Sequence, residues 1–205
     1  MHSILLLDFD GTLFNSDLFH KHIAEYLNTT YKLPLEEFYS SFDKAKEDGL
    51  PHSLKKQLKI IGFRNVNGLI KELKQHLLTT NTNYLYQETI DFIQKYKKSI
   101  VVYTYADAKY FKYKQHISSF GKFRLPYIIV NTDKNLFLSQ NINSIESLVN
   151  KKVYWVYDKP SVFKNSINNV EFIRIKREGD KHSSNPTPVG VKEVNNLLEI
   201  NVIDQ

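Results

Sequence analysis

The chain has 205 residues, of which 41% are hydrophobic and 24% charged, and this is enough for one compact core or for a core with a small inserted domain. It contains no cysteine, which excludes disulfides, thiolate metal sites and a cysteine nucleophile, so any metal has to be bound by oxygen or imidazole. The formal net charge of +6 suits anionic partners, phosphate esters and nucleic acid alike.

The first predicted element is a short buried strand over residues 4–9, built on the apolar run from Ile4 to Leu7. The run is too short for a signal peptide, because Asp8 ends it, and it also lacks the basic flank of one. No segment approaches the roughly 20 consecutive apolar residues of a membrane span. We therefore expect a cytoplasmic protein without a membrane segment.

Residues 15–85 predict helices only. Apolar residues recur at helical spacing in four successive stretches, with breaks at Pro34, Gly49 and Gly62. A polar connection at residues 79–84 ends the series.

From residue 86 onward, predicted strands alternate with predicted helices. The strands are rich in β-branched and aromatic residues and cover 99–105, 126–132, 152–158 and 170–175. The helices cover 88–98, 107–119, 139–149, 161–167 and 191–200.

This alternation favours a parallel sheet with helices on both faces, and the first strand belongs to the same sheet. We therefore predict an α/β protein, with a Rossmann-like parallel sheet core formed by residues 1–14 and 86–205. Residues 15–85 are predicted to form an α-helical cap domain inserted after the first strand.

Polar residues lie at or just past the carboxyl ends of the predicted strands, where parallel sheets form their sites. They are Asp8 and Asp10 after the first strand, Thr104 in the second, Lys134 past the third and Asp158 after the fourth. Residues i and i+2 of a strand point the same way, so two carboxylates would lie together and repel one another. A divalent cation would remove the repulsion, and magnesium prefers such oxygen ligands. Asp158 would supply a third carboxylate.

The segment DFDGTLF, residues 8–14, resembles the first motif of the haloacid dehalogenase (HAD) superfamily, whose members are mostly magnesium-dependent phosphatases. Thr104 resembles the second motif. Lys134, which lies 24 residues before Asp158, resembles the third, and Asp158 the fourth. The predicted insertion is similar to the cap that many members place between motifs one and two. The resemblance spans nearly the whole chain.

The resemblance implies a reaction and a role for each residue. Asp8 would attack phosphorus to give an aspartyl-phosphate, and Asp10 would act as general acid and then as general base. Thr104 and Lys134 would stabilise the phosphoryl group. Mg²⁺ would be bound by the carboxylates of Asp8 and Asp158 and by the backbone carbonyl of Asp10.

The fourth motif departs from the family pattern. Many relatives carry a second acid next to the first or four positions after it, and Lys159 and Val162 stand there in this chain. Tyr105 is bulkier than the residue that often follows the motif-two threonine. Lys122 is an alternative to Lys134 as the cation of the third motif.

Several further residues have two interpretations. His20 and His22 near the site are either substrate contacts or surface histidines. The basic residues of the cap, and the cluster Arg174, Lys176 and Arg177, either steer an anionic substrate or form a solvated surface. The segment at residues 109–116 has interleaved aromatic and basic residues and is interpreted first as an amphipathic helix.

The predicted function is magnesium-dependent hydrolysis of a small phosphate monoester through an aspartyl-phosphate. One alternative is a phosphotransferase or phosphomutase using the same site. Another is a catalytically weak regulatory protein that retains the fold, which the incomplete fourth motif motivates. A third is a phosphatase acting on nucleic-acid ends, which the basic charge permits, although we expect a small phosphorylated molecule as the partner. The sequence does not define the oligomeric state.

Overall fold

A computed structural model describes residues 3–201, which form six strands and seven α-helices. The strands are β1 (Ser3–Leu7), β2 (Ile100–Tyr105), β3 (Tyr127–Val130), β4 (Lys152–Tyr157), β5 (Val170–Ile175) and β6 (Lys192–Val194). The helices are α1 (Ser16–Tyr31), α2 (Leu35–Lys44), α3 (Leu54–Ile60), α4 (Val66–Thr79), α5 (Thr89–Tyr96), α6 (Ala108–Ile117) and α7 (Lys134–Asn141).

The strands form one parallel sheet in the order β3-β2-β1-β4-β5-β6. The strand β1 is central because β2 and β4 pair with it on its two sides. The chain order changes direction between β1 and β4, and ligands of open α/β sheets bind at such a point. The predicted Rossmann-like parallel sheet is confirmed.

The sheet is built from apolar runs because a parallel sheet is covered on both faces. Leu5, Leu6 and Leu7 of β1 are fully buried. One large cluster of buried side chains packs around Trp155 of β4 and Tyr103 of β2. This core fixes the strand ends that carry the candidate site.

The chain divides into two compact units. The first comprises Met1–Asn15, Leu85–Tyr105 and Phe123–Gln205, and the second comprises Ser16–Tyr84 and Ala106–Lys122. The second unit contains helices α1 to α4 and α6, with α1 packed against α2 and α4. None of the helices within residues 3–201 is long and apolar enough to cross a bilayer.

Three predicted helices of the first unit were wrong. The one predicted over residues 161–167 is only a short 3₁₀ turn, Pro160–Val162. A helix was predicted over residues 139–149, but α7 begins at Lys134 and ends at Asn141. The helix predicted over 191–200 is replaced by β6 and a short 3₁₀ turn, Leu197–Glu199. The open edge of β5 provides hydrogen-bond partners for residues 192–194, and this pairing overrides the helical spacing of the apolar residues.

Candidate active site

The end of β1 places two carboxylates on a tightly bonded turn. The backbone N–H of Asp8 donates to the Val156 carbonyl at 3.0 Å and extends the pairing of β1 with β4. The carbonyl of Phe9 then accepts from the N–H groups of Leu13 and Phe14 at 3.0 and 2.9 Å. These bonds close the turn around Asp10. The side chain of Asp8 is buried, and that of Asp10 is partly exposed.

Lys134 forms a buried ion pair with Asp8. Its Nζ lies 2.5 Å from Oδ1 of Asp8, and both side chains are at most 5% exposed. Lys134 is the first residue of α7, and its carbonyl accepts a 2.7 Å hydrogen bond from the Tyr103 hydroxyl. Its ammonium also lies 4.1 Å from the centre of the Tyr157 ring. Lys122, the alternative cation, is exposed and belongs to the second unit.

Asp158 follows β4 and approaches the turn after Asp10. A β-carbon placed on Gly11 would lie 2.4 Å from Oδ2 of Asp158, so the carboxylate occupies the space that a side chain at position 11 would need. Gly11 also has a φ of +76°, which glycine adopts without strain. The Asp158 carbonyl accepts from Nε of Arg174 at 3.4 Å. The structure thus brings Asp158 next to the first motif.

Thr104 occupies the same level of the sheet on the other side of β1. The register pairs Leu7 with Val102 of β2 and with Val156 of β4. Thr104 and Asp158 both lie two residues further along their strands and therefore flank β1 just beyond Asp8. Thr104 is buried. The hydroxyl of Thr12 is also buried, with no hydrogen-bond partner among residues 3–201.

Two carboxyl groups of the site, those of Asp8 and Asp158, have raised pKa values. Burial raises the pKa of Asp8 to about 6, although Lys134 opposes the shift, and the nearby charge of Asp10 adds to it. Burial and then the charge of Asp8 raise the pKa of Asp158 to about 7. Burial also lowers the pKa of Lys134, while the three aspartates favour its charged form. The site therefore carries more negative charge than the ammonium of Lys134 neutralises.

The donor set suits a hard divalent cation. The charge of Asp8 raises the pKa of the Asp158 carboxyl group, and a cation between these two groups removes the repulsion. No group of three or more His, Cys, Asp or Glu side chains within residues 3–201 is placed to bind a metal ion. The set that the HAD resemblance implies has only two side-chain ligands, with the Asp10 carbonyl as the third. The residues present therefore fit Mg²⁺.

The second acid of the fourth motif has no substitute at the two expected positions. Val162 packs against the apolar cluster around Trp155, and Lys159 is exposed. Position 162 therefore serves the core in this chain.

Two arginines of the β5–β6 region contribute to the site, and the sequence analysis did not identify their roles. Arg174 is fully buried, and its guanidinium donates to the carbonyls of His182 and Asn185 at 2.7 Å. Arg177 donates to the carbonyls of Gly11 and Thr12 at 2.9 and 3.0 Å. The alternation along β5 places Arg174 on the same face as partly buried Phe172. No sequence signal links Arg177 to the first motif.

The histidines near the first motif in sequence contact tyrosines of the second unit. Nε2 of His20 lies 3.1 Å from the Tyr110 hydroxyl, and Nδ1 of His22 lies 2.9 Å from the Tyr84 hydroxyl. The segment at 109–116 lies within α6, which confirms the helical interpretation. The histidines are therefore part of the packing of this unit.

The fold is shared with solved structures of HAD-like proteins. One is a structure assigned to the haloacid dehalogenase-like hydrolases from Burkholderia xenovorans, with a TM-score of 0.70 and 12% identity over 97% of this chain and 94% of that one. Another, assigned to the HAD hydrolases, is YfnB from Bacillus subtilis bound to magnesium, with a TM-score of 0.62 and 13% identity over 97% and 96% of the two chains. A third is a CbbY variant from Rhodobacter sphaeroides in complex with xylulose-1,5-bisphosphate, with a TM-score of 0.60 and 9% identity over 97% and 96%.

Sequence comparison adds nothing to these structural similarities. No protein-family model matches the chain, and no curated protein matches it in sequence. Structures of dehalogenases also share the fold. At identities near one in ten the similarity establishes the fold alone, and it confirms the HAD-like fold that the segment DFDGTLF predicts.

Proposed function

We propose that this chain is a magnesium-dependent phosphatase that hydrolyses a small phosphate monoester through an aspartyl-phosphate. The observation that carries the proposal is the buried pair of Lys134 and Asp8, 2.5 Å apart, with Asp10, Asp158 and Thr104 at the same edge of the sheet. A buried carboxylate held by an ammonium is a suitable nucleophile, since its pKa of about 6 leaves it ionised above neutral pH.

In the first step, the carboxylate oxygen of Asp8 that Lys134 does not bind attacks phosphorus. The bond from phosphorus to the ester oxygen breaks, and Asp10 gives its proton to the leaving alkoxide. In the second step, Asp10 takes a proton from water while the water oxygen attacks phosphorus. The acyl-phosphate bond breaks, which releases inorganic phosphate and restores the Asp8 carboxylate.

Two groups stabilise the phosphoryl oxygens in this proposal. The ammonium of Lys134 offsets the negative charge that Asp8 and the phosphoryl group share. The Thr104 hydroxyl donates a hydrogen bond to a phosphoryl oxygen. Mg²⁺, bound by the carboxylates of Asp8 and Asp158 and the carbonyl of Asp10, supplies further charge neutralisation when present.

Asp10 favours a phosphatase over a dehalogenase, although dehalogenases share the fold. Halide leaves without a proton, so a dehalogenase has no use for the general acid that Asp10 provides. The magnesium bound to YfnB and the sugar bisphosphate bound to the CbbY variant support the same choice. We further propose that the inserted helices of residues 15–85 act as the cap that excludes water and selects the leaving group.

Release of inorganic phosphate tests the proposal. A panel of sugar, nucleotide and small-acid phosphates is incubated with the protein, with Mg²⁺ or with EDTA, beside Asp8→Asn and Asp10→Asn variants. We expect release that requires Mg²⁺, is abolished in Asp8→Asn and is reduced roughly 100- to 10,000-fold in Asp10→Asn. Transfer of phosphate to an added alcohol in preference to water would favour the phosphotransferase alternative. No release from any substrate, together with no magnesium binding, would favour the regulatory alternative.

A further inference from the structure

The guanidinium of Arg177 binds the backbone of the turn that follows Asp10. Its Nη1 donates to the Gly11 carbonyl at 2.9 Å, and its Nη2 donates to the Thr12 carbonyl at 3.0 Å. The side chain is only 11% exposed. A cation that is buried against two consecutive carbonyls orders them more strongly than water does, because charge-assisted hydrogen bonds are the stronger ones.

The other contacts of Arg177 hold the guanidinium itself in place. Nη2 lies 2.5 Å from Oε1 of Glu88, and the guanidinium carbon lies 3.6 Å from the centre of the Tyr86 ring. The Tyr86 hydroxyl donates in turn to Oδ2 of Asp180 at 3.1 Å. Ion pairing and ring stacking together leave the guanidinium little freedom, so its position is set before it binds the turn.

The same residues lie where the chain leaves and re-enters the first unit. The first unit continues to Asn15 and resumes at Leu85. The N–H of Tyr86 donates to the Leu13 carbonyl at 3.2 Å. Three consecutive carbonyls, those of Gly11, Thr12 and Leu13, are therefore bound either by Arg177 or by the returning segment that Arg177 contacts.

These contacts determine the orientation of the peptide groups next to the general acid. The peptide unit is planar and trans, so a carbonyl that is fixed also fixes the N–H on the opposite side of the same unit. The Gly11 N–H donates to the Phe14 carbonyl at 2.9 Å, which directs the Asp10 carbonyl away from Phe14. Arg177 fixes the next two units. The Asp10 carbonyl is the backbone ligand proposed for Mg²⁺. Arg177 stabilises its orientation by binding the carbonyl of the next residue, Gly11.

We propose that Arg177 is a positioning residue, which holds the turn from Asp10 to Thr12 in the geometry that the reaction needs. This inference rests on the proposed function for its catalytic consequence. Arg177 donates no group to the substrate in this account and acts through the backbone of residues 10–12. A displacement of about 1 Å in a catalytic group lowers a rate as much as roughly 100-fold, so the orientation of this turn has a measurable effect.

Hydrogen exchange of the metal-free protein tests the structural half of the inference. Arg177→Gln removes both hydrogen bonds, Arg177→Lys keeps the charge without the two-pronged geometry, and Lys176→Gln is the matched control. Lys176 is the adjacent residue, and its Nζ lies 3.5 Å from Glu193. We expect the amides of Gly11, Leu13 and Phe14 to exchange roughly tenfold faster in both Arg177 variants and unchanged in the control.

Kinetics with p-nitrophenyl phosphate tests the catalytic half. We expect kcat to fall roughly 10- to 100-fold in Arg177→Gln and Arg177→Lys, with KM changed by no more than about twofold. Lys176→Gln should retain the wild-type kcat. A general loss of folded protein would instead lower the active fraction, which the unfolding midpoint of each variant reveals. If Arg177→Gln does not fold, Arg177→Lys carries the test, because it keeps the charge and loses the two-pronged geometry.

Each outcome has a distinct meaning. Wild-type exchange of the three amides in an Arg177 variant that folds overturns the inference whatever the activity. Faster exchange with an unchanged kcat overturns the catalytic consequence. If the wild-type protein releases no phosphate, the proposed function fails, and the exchange rates alone still decide whether Arg177 orders the turn.

Discussion

The carboxylate of Asp158 lies against the α-carbon of Gly11, so close that a β-carbon at position 11 would be 2.4 Å from Oδ2 and 2.7 Å from Cγ. The fourth-motif acid and the first-motif glycine are 147 positions apart in the chain. Their contact exists because β4 pairs with β1 in parallel and brings both carboxyl ends to one level. Position 11 therefore needs glycine for two reasons: the Asp158 carboxylate occupies the space of a side chain, and the φ angle is positive.

We expect Gly11→Ala to lose both stability and activity. The new β-carbon would displace the Asp158 carboxylate and would also strain a backbone with φ of +76°. The free energy of unfolding should fall by about 2–4 kcal/mol, and phosphate release by at least roughly 100-fold. Urea denaturation and phosphate release measure the two effects.

Gly49→Ala is the matched control. Gly49 has a similar φ of +71°, but nothing lies within 4 Å of its would-be β-carbon. Gly49→Ala should lower the free energy of unfolding by only about 1 kcal/mol and leave phosphate release intact. Equal losses in the two variants would show that backbone strain alone, and not the contact with Asp158, makes Gly11 necessary.

Lys134→Met should inactivate the protein and change the pH dependence of any residual activity. The variant leaves Asp8 buried without its cation, so the pKa of Asp8 rises above the wild-type value of about 6. The rate should fall roughly 100- to 1000-fold, and the acid limb of the pH–rate profile should move to higher pH. Lys164→Met is the control, because it removes an equal charge from an exposed pair with Asp133. An unshifted acid limb would contradict the assignment of Asp8 to that limb.

The metal-free protein should become less stable as the pH rises from about 4 to about 7. The pKa values of Asp8 and Asp158 are about 6 and about 7 in the folded protein, above their ordinary value of 3.8. The folded state therefore keeps protons that the unfolded state has already lost, so stability falls with pH until both groups are ionised in the folded protein. We expect a loss on the order of 1 kcal/mol per pH unit, measured by urea denaturation in EDTA.

Asp158→Asn provides the comparison for this pH effect. An amide does not ionise, so the decline of stability between about pH 4 and 7 should be smaller in the variant than in the wild type. Mg²⁺ binds only the folded state and should stabilise the wild type more than Asp158→Asn at pH 8. Identical pH profiles for the two proteins would contradict the raised pKa of Asp158.

Arg174→Gln should destabilise the protein strongly. The guanidinium is fully buried and donates to the carbonyls of His182 and Asn185 and to the hydroxyl of Thr187 at 2.6 Å. Removal takes the donor from these acceptors and leaves unfilled space at a fully buried position, at a cost of about 3 kcal/mol. Arg64→Gln, on the exposed surface of the second unit, should change stability by less than about 0.5 kcal/mol. A comparably small effect in Arg174→Gln would mean that water replaces the guanidinium.

The sequence by itself determined the class of fold and the residues of the candidate site. Apolar runs that alternate with helical patterns predict a parallel sheet, and the carboxyl ends of parallel strands meet at one edge. The local segment DFDGTLF identified Asp8 and Asp10. Spacing along the chain selected Lys134, whose ammonium lies 2.5 Å from the Asp8 carboxylate in the structure. These are properties of short segments and of their order.

Only the tertiary structure decided which distant residues support the site. β6 formed where a helix was predicted, because the open edge of β5 offers hydrogen bonds that no local pattern encodes. The sequence left the roles of Arg174 and Arg177 undecided. In the fold, Arg174 is buried and binds the loop that contains His182. Arg177 binds the carbonyls of Gly11 and Thr12. The guanidinium of Arg177 reaches a turn more than 160 positions earlier in the chain. Such a contact follows from the three-dimensional path of the backbone, which no periodicity along the sequence records.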